Sequence, residues 1–123
     1  MPKRVLDVGQ CGPDHATISS FLAQNFDCEV IRAHGLDDTL RELDDSHVDL
    51  VLVNRKLDRD YSDGLDIIRR IKTEAATSAV PVMLVTNYPE HQEEAVAAGA
   101  LLGFGKLQFD EPETRERLAA VLG

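Results

Sequence analysis

Cysteine is scarce in this chain: Cys11 and Cys28 are its only two, and neither sits in a CxxC or Cys/His spacing that would suit zinc. A disulfide framework is excluded, and both thiols are expected to be reduced. Basic residues are also few, thirteen against twenty-two acidic ones, for a formal net charge of −9. They do not cluster along the chain, so a phosphate backbone would be repelled and direct nucleic-acid binding is not expected. No window approaches the roughly 18 to 20 continuous apolar residues that cross a bilayer, and the opening MPKRVLDVGQ lacks the apolar run of a secretory signal. A cytoplasmic protein without a membrane span is the expectation.

What is present is enough apolar material for one core. With 123 residues, 43% of them hydrophobic, the chain has the size of a single domain spanning residues 1–123. Apolar runs of four to six residues alternate with segments of helical period. The runs fall at residues 4–8, 29–33, 50–53, 80–85 and 100–104, and several are β-branched with no polar alternate face, as in strands covered on both sides.

Between them lie helical stripes: Ile18, Phe21, Leu22 and Phe26; Leu36, Leu40 and Leu43; Leu65, Ile68 and Ile71; a weaker one at Ala95 and Ala98; and Leu118, Val121 and Leu122. Pro13 and Pro89 suit first helical turns, Gly99 suits a helix C-terminus, and Asp110 to Glu113 (DEPE) has the spacing of a capping box. Five such βα pairs predict an α/β fold. Right-handed crossovers leave few arrangements, and a doubly wound, parallel five-stranded sheet of flavodoxin-like order 2-1-3-4-5 is expected.

In such a sheet, chemistry sits beyond the carboxyl ends of the strands. The residues there are Gly9, Gln10 and Cys11; the segment from Asn54 to Gly64; Thr86 and Asn87; and Gly105 and Lys106. These ends carry a resemblance that covers almost the whole chain. VDLVLVN with DGLDIIRRIK, VPVMLVTN, and AVAAGALLGFGKLQF, in that order and at near-family spacing, resemble the receiver domain of two-component response regulators.

The resemblance implies a (βα)5 domain that accepts a phosphoryl group from a histidine kinase onto an aspartate ending the third strand. An acidic pair after the first strand helps hold Mg²⁺ in that family, a Thr or Ser and a Lys contact the phosphoryl oxygens, and an aromatic three residues before the Lys reports the state. Thr86 and Lys106 match. The acceptor position holds Asn54, the acidic pair is replaced by Gly9 and Gln10, the aromatic position holds Gly103, and Leu107 stands where a proline is usual. Gly64 falls ten residues beyond Asn54 rather than about eight, so the intervening loop is two residues longer.

These departures bear on chemistry. Mg²⁺ takes oxygen ligands and dehydrates reluctantly. Each lost carboxylate removes about 6 to 7 kcal/mol of gross attraction to a divalent ion, at roughly 5 Å and an effective dielectric of about 20. An amide nitrogen is a poor nucleophile because its lone pair is delocalised, so Asn54 does not form an acyl phosphate. With these positions neutral, Lys106 is expected to be the one charge left in the pocket. Weak or absent Mg²⁺ binding, no cofactor and no enzymatic activity are expected.

The implied role is a pseudo-receiver. It would signal without phosphorylation by binding a protein partner or itself, through the face of the fourth helix, fifth strand and fifth helix that the family uses. Leu101, Leu102, Phe104 and Leu107 make that region apolar, several of them as core. The alternative is a small-ligand or anion sensor built on Lys106 and Thr86.

Other features have plainer readings. Asp58, Asp60 and Asp63 have the spacing that begins a calcium loop, but the rest of that pattern fails and a solvated loop is favoured. Cys11 lacks the Arg of a phosphatase loop and is read as structural. Asp7, inside an apolar strand, needs a partner, expected to be a nearby Lys or Arg. His15, His34, His47 and His91 share no ligand spacing and are read as surface residues.

Overall fold

A computed structural model describes residues 2–123 of the chain. The strands are β1 (Lys3–Val8), β2 (Cys28–Ala33), β3 (Leu50–Asn54), β4 (Val82–Val85) and β5 (Leu101–Phe104). The helices are α1 (Gly12–Asn25), α2 (Leu36–Asp45), α3 (Gly64–Thr73), α4 (Pro89–Ala97) and α5 (Pro112–Leu122). All paired strands run parallel, in the order β2-β1-β3-β4-β5. The expected architecture is the one observed.

Alternation along the central strands splits the core into two layers. Leu6, Val8, Val51, Val53, Val82 and Leu84 face α3 and α4, packing against Leu65, Ile68, Ile71 and Ala95. Val5, Leu50, Leu52, Met83 and Val85 face the other way, onto Ile18 and Leu22 of α1 and Leu118 and Leu122 of α5. Asp7 has the parity of Val5 and so lies in the α1 layer, fully buried.

Several local expectations are corrected. Of the half-buried leucines of α2, Leu36 and Leu43 pack on the core and Leu40 does not, and the one fully buried residue of the helix is Thr39. The DEPE capping box does not form: Glu111 is the N-cap of α5, no side chain caps it, and Pro112 opens the helix. Pro112 fixes the first-turn dihedral and moves the helix start one residue later than the box requires. β2 is half-exposed rather than covered on both sides, because it is an edge strand. The other stops and starts agree, with Pro13 and Pro89 in first turns and Gly99 just past α4 at φ +109°.

The loop after Asn54 closes in a tight turn. Tyr61 N donates to Leu57 O and Leu57 N to Ser62 O, and Lys56 and Asp63 form an antiparallel bridge. Leu57 turns inward and is 3% exposed. Asp58, Asp60 and Asp63 go separate ways. The main chain of Asp58 donates to Gly9 O, Asp60 accepts from Ser62, and Asp63 caps α3 through Leu65 N while pairing with Arg55.

Candidate functional site

Asn54 ends β3, and its side chain is fully engaged. Its Nδ2 donates to Gly9 O at 3.1 Å and to Lys56 O at 2.7 Å. Its Oδ1 accepts from Arg55 N at 3.1 Å and from Lys106 Nζ at 3.3 Å. One amide thus ties the loops after β1, β3 and β5 together.

Gly9 is required where it stands. Its φ is +78°, and a Cβ added there would lie 2.4 Å from Leu57 Cδ2. The main chain needs left-handed freedom at this point, and the space a side chain would fill is taken by the inward leucine of the loop after β3. Gly9 and the inward Leu57 fit against one another.

Lys106 does not stand alone, which corrects the expectation of a single residual charge. Its Nζ donates to Asp14 Oδ2 at 2.7 Å. Asp14, in the first turn of α1, is held below the usual carboxylate range chiefly by that hydrogen bond from Lys106. Both side chains are partly exposed, so the pair contributes at most about 1 kcal/mol to stability. Its effect is on the site, where the cation already has an anion.

Beneath this layer lies a second polar group. Asp7 Oδ2 is 2.7 Å from His15 Nδ1, and His15 Nε2 lies 3.4 Å from Ser19 Oγ. Asp7 therefore pairs with a histidine of α1 rather than with Lys or Arg, and His15 is half-buried rather than a simple surface residue. Burial pushes the Asp7 carboxyl up from 3.8 to about 6, against the opposing pull of His15, Gln10 and Lys106. Gln10 is fully buried beside Asp7, yet both its amide atoms and Asp7 Oδ1 stand outside hydrogen-bonding geometry.

Thr86 follows β4, donates its main-chain N–H to Phe104 O, and has its hydroxyl 3.2 Å from His91 Nδ1. His91 is half-buried and is likewise not a simple surface residue. Asn54, Thr86, His91 and Lys106 line a cleft of about 490 Å³. The structure brings together Asn54, Gly9, Thr86 and Lys106 as the sequence suggests. It adds Asp14, Asp7 and His15 to the surroundings, which position relative to the strand ends did not select.

Gly103 lies apart, on the far side of β5. The β4–β5 register slips there: Met83 pairs with Leu101 but Val85 with Phe104, two residues against three. The bulge opens the ladder, and Gln92 of α4 fills it. Its Nε2 donates to Leu84 O at 2.9 Å and to Thr86 O at 3.3 Å, and its Oε1 accepts from Gly103 N at 2.9 Å. A Cβ on Gly103 would sit 2.4 Å from Leu84 O, so this backbone admits no side chain there. The bulge also turns Leu101 and Leu102 outward at 44% and 47% exposure, and Leu107 is 84% exposed. Of these four apolar residues, several of which were expected to be core, only Phe104 is buried.

Among the described residues no group of three His, Cys, Asp or Glu side chains could hold a metal ion, and no helix is long and apolar enough to cross a membrane.

Comparison with known proteins agrees with this architecture. A protein of Chloroflexus aurantiacus assigned to the response regulators is 20% identical over 99% of this chain and 98% of its own, with a TM-score of 0.84. The signal receiver domain of a DNA-binding response regulator from Colwellia psychrerythraea is 21% identical over 96% of each chain, with a TM-score of 0.80. A response regulator receiver protein from Pseudomonas putida is 17% identical over 98% of each chain, at 0.79. No curated protein matched. The profile of the response regulator receiver domain matches residues 13–119, and the chain therefore belongs to the response regulator receiver domain family.

Proposed function

We propose that this receiver domain signals without being phosphorylated and acts by binding a protein partner in the cytoplasm. The observation that carries the reading is the state of Asn54. Its amide N–H groups point at two main-chain oxygens, Gly9 O and Lys56 O. A divalent ion in that place would need these acceptors for itself, and the amide hydrogens would repel it. The donor set does not fit Mg²⁺: positions 9 and 10 supply no carboxylate, Asp14 is tied to Lys106, and Asp7 is buried against His15. The amide fastens the strand ends through these two bonds.

An amide also cannot accept a phosphoryl group as a carboxylate can. The cleft holds the Asn54 amide in place of the acceptor, with the Thr86 hydroxyl 3.2 Å from His91 Nδ1, and we read the domain as a non-enzyme. The sensor alternative has less support, because its donors are taken: Lys106 by Asp14, Thr86 by His91 and Asn54 by the main chain. An anion entering the cleft would have to displace an existing ion pair.

The test is a titration of the ¹⁵N-labelled domain with Mg²⁺ and then beryllofluoride, a phosphoryl mimic that bonds to a carboxylate oxygen. The amides of Asn54, Thr86 and Lys106 should stay in place. Saturable shifts at those three would overturn the reading.

A further inference from the structure

We infer that Asp7, His15 and Lys106 form a proton-operated latch, in which proton uptake by the buried Asp7–His15 pair loosens the hold on the Lys106 ammonium at the strand ends. The latch concerns the charge beneath the site and works whether or not the domain takes a phosphoryl group.

Two consecutive residues of α1 tie the helix to different parts of the fold. Asp14 Oδ2 accepts from Lys106 Nζ at 2.7 Å, and His15 Nδ1 lies 2.7 Å from Asp7 Oδ2. The two pairs are joined, because Lys106 also attracts the Asp7 carboxylate through space. With Asp7 ionised, the ammonium is held by two carboxylates. With Asp7 protonated, Asp14 alone holds it. Linkage makes the effect reciprocal: as Lys106 opposes the proton on Asp7, that proton weakens the hold on Lys106.

The other groups around Asp7 do not take over this control. Arg32 of β2 stands beside it in register, but its exposed guanidinium donates to Gln10 O at 3.1 Å and keeps its charge at any pH in this range. The register neighbour on β3 is Leu52, and α5 presents Leu118 and Leu122 to the same layer, all uncharged. Gln10, in the turn after β1, is neutral. His15 is therefore the titratable partner of Asp7, and Lys106 and Arg32 are the fixed cations near it.

A fully buried carboxyl needs a route for its proton, and His15 supplies one. Its side chain is 21% exposed, and its Nε2 lies 3.4 Å from Ser19 Oγ on the half-buried flank of α1. The imidazole can carry a proton between solvent and Asp7 without the core opening. Burial pushes the Asp7 carboxyl up to about 6, which sets the latch to work between neutral and mildly acidic pH. Asp14 is held below the usual carboxylate range, chiefly by Lys106, and stays ionised throughout. Asp7 is the carboxylate near Lys106 that changes.

The experiment is an NMR titration of the ¹³C,¹⁵N-labelled domain from about pH 5 to about pH 8. It reads the Asp7 carboxyl carbon, the Lys106 side chain, and the side-chain amide of Asn54, whose Oδ1 accepts from Lys106. Lys106 and Asn54 should shift with the midpoint of Asp7. Asp7→Asn should abolish that step. His91→Gln, which removes the histidine lining the same cleft as Lys106, should leave it in place.

Lys106→Gln should move the Asp7 midpoint to higher pH, a response that a carboxyl buried for structural reasons alone would not give. Lys106 is partly exposed, so this variant keeps the test decisive if Asp7→Asn fails to fold, which circular dichroism shows. Lys106 and Asn54 signals that stay flat through the Asp7 midpoint would overturn the inference. So would a step that survives folded Asp7→Asn, a step lost in His91→Gln, or an unmoved Asp7 midpoint in Lys106→Gln.

Discussion

Asn54 Nδ2 donates to the main-chain oxygen of Gly9 at 3.1 Å, joining the end of β3 to the turn that follows β1. The same nitrogen reaches Lys56 O at 2.7 Å. These bonds place hydrogen where a carboxylate would place negative charge against two carbonyl oxygens. Replacement of this one atom changes both the stability and the chemistry of the site.

Asn54→Asp should therefore destabilise the fold by about 1 to 3 kcal/mol at neutral pH, since two carbonyls lose a donor and face an anion, with Lys106 offsetting part of the loss. It should not create micromolar Mg²⁺ affinity, because Gly9 and Gln10 remain uncharged. Urea unfolding and a calorimetric Mg²⁺ titration check the two halves separately. Parental stability, or micromolar binding, would contradict the account.

Gly9→Asp would put an acid at one of the two positions where the family resemblance implies a pair, and it should fail structurally. The positive φ and the Leu57 Cδ2 atom 2.4 Å from the new Cβ lead to an expected loss of roughly 2 to 4 kcal/mol. Gly9→Asp combined with Leu57→Ala should recover less than the full loss, because the φ term persists. Thermal unfolding of the single and double variants measures this.

The buried Asp7 makes stability depend on pH in a definite direction. Its carboxyl rises from 3.8 to about 6 on folding, through burial, so the folded chain binds the proton more tightly than the unfolded one. That contribution is fully present below pH 3.8 and is lost as pH rises through about 6, amounting to at most about 3 kcal/mol. Asp7→Asn should be more stable than the parent by about 1 to 3 kcal/mol at pH 7.5 and nearly equal to it near pH 4. Denaturant unfolding at both pH values decides the matter, and equal gains at both would contradict the assignment.

Gln92→Leu should cost roughly 2 to 4 kcal/mol although it adds apolar surface to a buried site. The main-chain groups of Leu84 and Gly103 at the bulge would be left without partners. Hydrogen exchange should show the Gly103 amide losing protection before the rest of β5. Retained protection there would mean that the bulge does not depend on the glutamine.

The layout of the fold was legible because it follows from hydrophobic period. The valine-containing apolar runs LVLV and VMLV and the stripe Leu65, Ile68, Ile71 specify two-sided strands and one-sided helices with little ambiguity. The strand-end positions Asn54, Thr86 and Lys106 follow from that layout. What was not legible depends on contacts across long separations. Asp14 meets Lys106 across ninety-two residues, and nothing local marks an acid in a first helical turn as a lysine's partner. Asp7 did stand out as a charge in an apolar run, but its partner His15 could not be identified by strand position. Gly103 was noticed as a missing aromatic, and only the register slip shows that the backbone forbids a side chain there.

The central claim, that this receiver does not take a phosphoryl group, is tested most directly by intact mass after incubation with acetyl phosphate and Mg²⁺. The mass should be unchanged. A stable gain of one phosphoryl group, mapped to Asp7, Asp14 or Asp58, would contradict the claim.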